Sequence, residues 1–376
     1  MRFVVRPTFP SLVTTNVMKS DSQLACSSPT LDAQTAIPRT SRGQPMSTQL
    51  ETISADADDT IPALDVGAYL RNEPGALASL ARELRHALEE IGFFFAVNHS
   101  VPQGLIDRAF AETARFHALP MEAKMALAIS DAHVGYMDNE GELPRTSPYY
   151  TGTLKPDVGE AFFIKREIAP FPLQVRNQWP PDLAGFRTTL TEYFEATEAF
   201  FRRMLPVFAT ALELPANYFD VAFGRYKALS VLRVAHFPAD PLEPDQFNVG
   251  PHTDSSFVTL LATTSVPGLQ LLGRNGQWFP APPIPGSILF NSGDMLTRWT
   301  NGRFLSTPHR VLNRSGRDRY SIPLFVHPNP DFEIRCLPTC SGPDNPPKHH
   351  PITSQAYLEW FMRENFKHAA KPRLAT

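Results

Sequence analysis

Residues 250–326 constrain this chain more than any other stretch. They open with Gly250-Pro251-His252-Thr253-Asp254, pass through Thr307-Pro308-His309-Arg310-Val311, and reach Arg319-Tyr320-Ser321. Side chains two apart share one face of a strand, so His252 pairs with Asp254 and Arg319 with Ser321. His309 follows Asp254 by 55 residues, room for several strands to bring it back alongside. The fold must therefore aim two polar pairs and a histidine inward from short strands. Two imidazoles and one carboxylate are a donor set that holds non-haem iron(II) with coordination positions left open.

His252-x-Asp254 alone carries little weight. With 11 histidines in the chain, roughly 0.5 such pairs arise by chance. A strand His and Asp that merely satisfy each other is then the commoner arrangement. Arg319-x-Ser321 changes the balance. A guanidinium fork beside a hydroxyl suits a carboxylate held bidentately. An inward arginine otherwise needs a buried acid, and this stretch offers little.

Composition narrows the partners. A net charge of −3 with 19 % charged residues leaves no basic field for nucleic acid. No apolar run approaches the ~20 residues that span a bilayer. The expectation is a monomeric, cytoplasmic protein acting on a small molecule. Cys26, Cys336 and Cys340 are an odd, sparse set, which favours a reducing compartment over a disulfide framework. Cys336-x3-Cys340 followed by His349-His350 also reads as a zinc site, but the spacing is loose and the intervening residues form a loop.

Residues 1–58, punctuated by Ser, Thr and Pro, are read as an extension that does not pack. Five Lys/Arg against two Asp through Pro45 give it some likeness to an organelle transit peptide, without an amphipathic Arg-rich helix. A second reading makes Met46 the initiator. Residues 59–182 then form an N-terminal region. Ile61-Pro62-Ala63-Leu64-Asp65 reads as a short strand, and 76–91 as a helix with Leu77, Leu80, Leu84, Leu88 and Ile91 inward. Gly92 stops that helix, and Phe93-Phe94-Phe95 begins a buried strand. Pro102 opens a second helix to about 118. His99 and His117 read as packing or capping residues. In the loop-rich stretch 131–182, Tyr136, Tyr149, Tyr150 and Phe163 are candidates for a substrate wall or for plain core cover.

Residues 183–226 read as a bridging connection, with a helix over 182–212. From 227 to 335 the period becomes strand-like, with a hairpin over 269–279 turned at Asn275-Gly276 and strands over 287–290 and 320–326. A loop and a final helix over 354–367 complete 336–376. Short strands at this spacing indicate a sandwich or barrel.

The chain resembles the isopenicillin N synthase-like family of iron(II)/2-oxoglutarate-dependent dioxygenases. Beyond the residues above, Leu232-Arg233-Val234-Ala235-His236-Phe237-Pro238, Pro267-Gly268-Leu269-Gln270-Leu271, Asn291-Ser292-Gly293-Asp294 and Asn98-His99-Ser100-Val101-Pro102 carry the likeness. It implies a mixed, mainly β fold, a double-stranded β-helix (jelly roll) core with flanking α-helices. It implies Fe(II) held by His252, Asp254 and His309, and 2-oxoglutarate as co-substrate bound by Arg319 and Ser321. O2 would be the oxidant and ascorbate a reductant, with Asn291 assisting near the metal. Hydroxylation is the usual outcome, desaturation or ring closure the variants. Phe237 stands where many relatives have Tyr and so lacks a hydroxyl for the co-substrate; Ser100 replaces a usual Gly. The first departure keeps open an oxidase that uses no 2-oxoglutarate. A non-catalytic jelly-roll module is the reading from another class.

Overall fold

Strand Leu229–Phe237 alternates more and less buried residues along most of its length, as a period-two pattern requires, and sits deep in the largest sheet. The computed structural model describes residues 60–138, 149, 155–167, 176–224 and 228–366. The extension over 1–58, with Cys26, lies outside them, as does Tyr150. Among the described residues nine strands build that sheet, in the order Ala63–Asp65, Phe93–Val97, Ile288–Ser292, Val258–Ala262, Leu324–His327, Leu229–Phe237, Glu160–Lys165 and Gly135–Met137. Arg319–Ser321 pairs with Leu229–Phe237 off this path. Only the first pair is parallel. A second sheet orders Val249–His252, His309–Val311, Leu269–Leu272 and Trp278–Pro280.

The two sheets share an interior. Phe93, Phe95, Leu289 and Phe237 from the large sheet form one buried cluster with Leu269, Leu271, Phe279 and Val311 from the small one. Two antiparallel sheets facing each other across such a core give the jelly roll. The outer face of the large sheet is covered by helix Phe186–Ala211. Phe200 meets Phe290 edge-on at 5.6 Å, and Phe208 packs 5.7 Å from Phe257. Helices Ala76–Glu90 and Gln103–His117 pack on the same long helix. The mixed, mainly β architecture with flanking helices is thus the one the sequence implies. No helix among the described residues is long and apolar enough to cross a membrane.

Local chemistry sets the element ends. The long helix begins at Phe186 rather than 182, because Pro180-Pro181 and Gly185 (φ 93°) hold the preceding backbone out of the helical region. The segment over 320–326 is not one strand. It divides into Arg319–Ser321 and Leu324–His327 around Pro323, which has no N–H to give a ladder; its carbonyl still accepts from Arg233 N at 3.0 Å. Thr353 caps the last helix, Ser354–Asn365, its side chain accepting from Ala356 N. Cys336 and Cys340 are free thiols.

Gly92 joins helix Ala76–Glu90 to strand Phe93–Val97 at φ 77°, and a Cβ there would lie 2.5 Å from Thr307 Oγ1 and 2.6 Å from the Leu305 carbonyl. Gly92→Ala therefore meets both left-handed strain and backbone overlap. We expect it to destabilise the fold by about 2–3 kcal/mol, read as a drop in the urea midpoint at unchanged m-value.

Candidate metal centre

His252 closes strand Val249–His252 and His309 opens His309–Val311, and antiparallel register sets them opposite each other. Their ring centroids are 4.3 Å apart. Asp254 lies two residues past its strand, so the alternation expected over 252–254 stops at His252. The carboxylate converges all the same. Its Oδ1 is 3.6 Å from His252 Nε2 and 3.7 Å from His309 Nε2.

The other polar atoms of these side chains are already engaged. His252 Nδ1 is 2.8 Å from the Gly250 carbonyl, and His309 Nδ1 is 3.1 Å from that of Thr307. A carbonyl only accepts, so each Nδ1 carries a proton and each Nε2 offers a lone pair. Asp254 Oδ2 accepts from Thr259 Oγ1 (2.6 Å) and Asn291 Nδ2 (2.7 Å), which leaves Oδ1 facing the imidazoles. Burial alone would raise the Asp254 carboxyl. The imidazoles of His309 and His252 and the Thr259 hydroxyl hold it well below the ordinary carboxylate range. Phe93 packs edge-on against the His309 ring at 5.5 Å. Two nitrogens and one oxygen, aimed together and with their rear atoms tied, fit a divalent iron that keeps open positions.

Arg319 and Ser321 project from the same face of their short strand, opposite Phe237 and Ala235, and both are buried. Among the described residues Nε and Nη1 of Arg319 have no hydrogen-bond partner, and its guanidinium lies 5.4 Å from the Phe237 ring centroid. Burial pushes its pKa down to about 10. A buried cation with orphaned donors is costly unless an anion completes it. Space for one exists. Arg319 lines a pocket with Leu261, Thr264, Leu269 and Leu289. Gly268 borders it, where a Cβ would come 3.3 Å from Arg319 Cδ. Strand Leu269–Leu272 ties the pocket to the triad, since Leu271 is the register partner of His309.

Comparison with known proteins agrees with this geometry. The sequence profile of the 2OG-Fe(II) oxygenase superfamily matches residues 228–328, which contain His252, Asp254, Thr259, Asn291, His309, Arg319 and Ser321. The profile described as non-haem dioxygenase in morphine synthesis N-terminal matches residues 61–182. A 2-oxoglutarate-Fe(II) type oxidoreductase of Emericella nidulans is 34 % identical, over 82 % of this chain and 91 % of its own. The chain is a 2OG-Fe(II) oxygenase. Kihadalactone A synthase of Citrus sinensis is also 34 % identical, over 74 % of the oxygenase and 86 % of its own length. A full-length Neurospora crassa protein crystallised in complex with alpha-KG superposes with a TM-score of 0.72 at 29 % identity, covering 81 % of the oxygenase and 96 % of that chain. The oxygenase is accordingly an iron(II)- and 2-oxoglutarate-dependent oxidoreductase, with Fe(II) and 2-oxoglutarate as its cofactor and co-substrate.

The structure sorts the other candidates. Asn291 touches Asp254 rather than the Arg319 pocket. Thr259, which does the same, went unnoticed because a threonine in an apolar strand carries no distinguishing signal. Phe163 belongs to the interior cluster, whereas Tyr136 faces the outer, helix-covered core. Tyr149 is half-buried near Asp294 and hydrogen-bonds Thr253. His99 packs against Phe200. His117, read as a packing residue, joins a second convergent group instead. Glu160 Oε1 lies 3.2 Å from His117 Nδ1 and 2.8 Å from His236 Nδ1, and its Oε2 accepts from Lys124 Nζ (2.7 Å) and Tyr136 OH. These three ligand types stand as close together as the triad does. The Lys124 ammonium already neutralises this carboxylate, so the group is electrostatically complete without a metal.

Burial would raise the Glu160 carboxyl, but hydrogen bonds from His117, His236, Lys124 and Tyr136 hold it far below its usual range. A depressed carboxyl stabilises the fold above its unfolded value, here 4.5, and that contribution drains away as pH falls below it. Glu160→Gln strands Lys124 as a buried cation. At pH 7 it is expected to cost about 3–5 kcal/mol and to flatten the acid side of a Tm-versus-pH curve below pH 4.5.

Proposed function

We propose that His252 Nε2, Asp254 Oδ1 and His309 Nε2 hold the iron(II), and that Arg319 with Ser321 takes the far carboxylate of 2-oxoglutarate. The observation that carries this reading is the direction of the lone pairs. All three donor atoms face one point while their partner atoms are bound to backbone or neighbours. The orphaned donors of Arg319 support the second half. When bound, iron(II) supplies the activation of O2 that is coupled to conversion of 2-oxoglutarate into succinate and CO2, with an oxygen atom delivered to a C–H bond of the substrate.

The chain supplies placement. Thr259 and Asn291 fix the rotation of the Asp254 carboxylate, so Oδ1 needs no reorganisation on binding metal. Arg319 neutralises the far carboxylate and Ser321 offers it a hydroxyl. The Phe237 ring lies against the guanidinium and donates nothing, so that end of the co-substrate depends on the arginine and serine. Phe93, Phe163, Phe237 and Leu271 make the interior apolar and keep water from the reacting centre. The substrate is a small molecule hydroxylated within this interior, with ascorbate as reductant. The odd, sparse set of three cysteines supports a reducing compartment, read as the cytoplasm.

Two substitutions test the assignment. Asp254→Ala should abolish iron binding, measured by metal analysis after anaerobic loading, while the protein stays folded by circular dichroism. Arg319→Ala should leave iron binding intact and weaken 2-oxoglutarate by about 2–5 kcal/mol, the usual result of removing one partner of a buried charge pair. An unchanged 2-oxoglutarate affinity in Arg319→Ala would falsify its role.

A further inference from the structure

The strand that carries Arg319 and Ser321 is three residues long, and among the described residues its only ladder partner is the end of Leu229–Phe237. Pro323 follows two residues later and contributes no N–H. Backbone pairing alone gives such a strand little rigidity, yet a co-substrate clamp must be accurate to a fraction of an ångström. Its back face shows what steadies it. Tyr320 alternates to the side opposite Arg319 and Ser321. Its ring stacks on His236 at 5.0 Å and 20°, with His117 behind at 6.5 Å.

His236 is itself pinned at Nδ1, which lies 2.8 Å from Glu160 Oε1. Its Nε2 makes no hydrogen bond among the described residues and stands 3.4 Å from Oδ1 of Asp318, the residue immediately before Arg319. That Asp318 oxygen accepts from Ala239 N at 3.0 Å. Glu160 is fixed in turn from separate elements, by Lys124 on helix Met121–Met125 and Tyr136 on strand Gly135–Met137, with the His117 ring packed 3.2 Å away at the end of its helix. His117 Nε2 is anchored to the Val234 carbonyl at 3.1 Å. The charged hub therefore forms a fixed post directly behind the two co-substrate residues, on the far side of the sheet from the metal.

We infer that Glu160 and His236 are positioning residues for 2-oxoglutarate, holding the Arg319–Ser321 strand in register through the ring of Tyr320. The inference rests on the assignment of Arg319 and Ser321 made above. It also explains how the oxygenase tolerates Phe237: with no phenol hydroxyl at that position, alignment of the remaining pair matters more, and the hub supplies it from behind.

The test uses the full chain loaded anaerobically with Fe(II). It measures the dissociation constant of 2-oxoglutarate from the charge-transfer absorption of its iron complex, the affinity for Fe(II), and Tm. His236→Phe keeps a ring on Tyr320 and removes the Nδ1 link to Glu160; Glu160→Gln removes the charge. The expected result is a 2-oxoglutarate dissociation constant raised about tenfold or more in His236→Phe, with iron affinity within about twofold of the parent, in line with other losses of an outer support. Two results overturn the inference: unchanged 2-oxoglutarate affinity in both variants, whatever happens to Tm, or a parallel loss of iron and 2-oxoglutarate binding, which marks general disruption. His236→Phe decides alone if Glu160→Gln fails to fold. Absence of 2-oxoglutarate binding by the parent protein would instead remove the Arg319 assignment, and this inference with it.

Discussion

Everything at the metal centre depends on how one carboxylate is shared. Asp254 gives one oxygen to Thr259 and Asn291 and keeps the other turned toward two imidazoles. Thr259 and Asn291 are register partners on adjacent strands, so the two hydrogen bonds come from a single rung of the large sheet. The imidazoles come from a single rung of the small one. The centre thus spans the gap between two sheets, and its geometry is only as good as their packing. The apolar cluster between them is what maintains that spacing, because close-packed interiors transmit small displacements instead of absorbing them.

The architecture also separates charge by face. Inside lie Asp254 and Arg319, two opposite charges in different parts of the interior, neither matched by a salt bridge to the other. Outside, beneath the helices, Glu160 and Lys124 neutralise each other completely. Burying four ionised groups in one small domain is expensive unless each has a partner. The outer pair has its partner in the protein. On the assignment proposed above, the inner pair is completed by ligands, a cation for the aspartate and an anion for the arginine. Cofactor and co-substrate binding should therefore contribute to stability as well as to chemistry.

Much of this was legible in the sequence. The polar pairs two apart, the returning His309 and the period change near residue 227 conveyed the site and the mainly β fold, because both follow from local periodicity. What stayed hidden was non-local. Glu160, Lys124, His117 and His236 come from segments spread over more than a hundred residues, and nothing in their separate neighbourhoods announces that they meet. Tyr136, read as substrate wall or plain core cover, proves to be core cover, because a three-residue strand turns it to the outer face, where one position decides orientation. The break at Pro323 was written in the sequence; it went unread because the flanking residues have such strong strand character.

Gly268 carries a consequence of its own. At φ 153° and with Arg319 Cδ only 3.3 Å from where a methyl would stand, it keeps one wall of the Arg319-lined pocket free of any side chain. A side chain here would meet both the Leu312 carbonyl and the arginine stem. On the proposed assignment, room for the far carboxylate is thus held open by an atom the chain does not have.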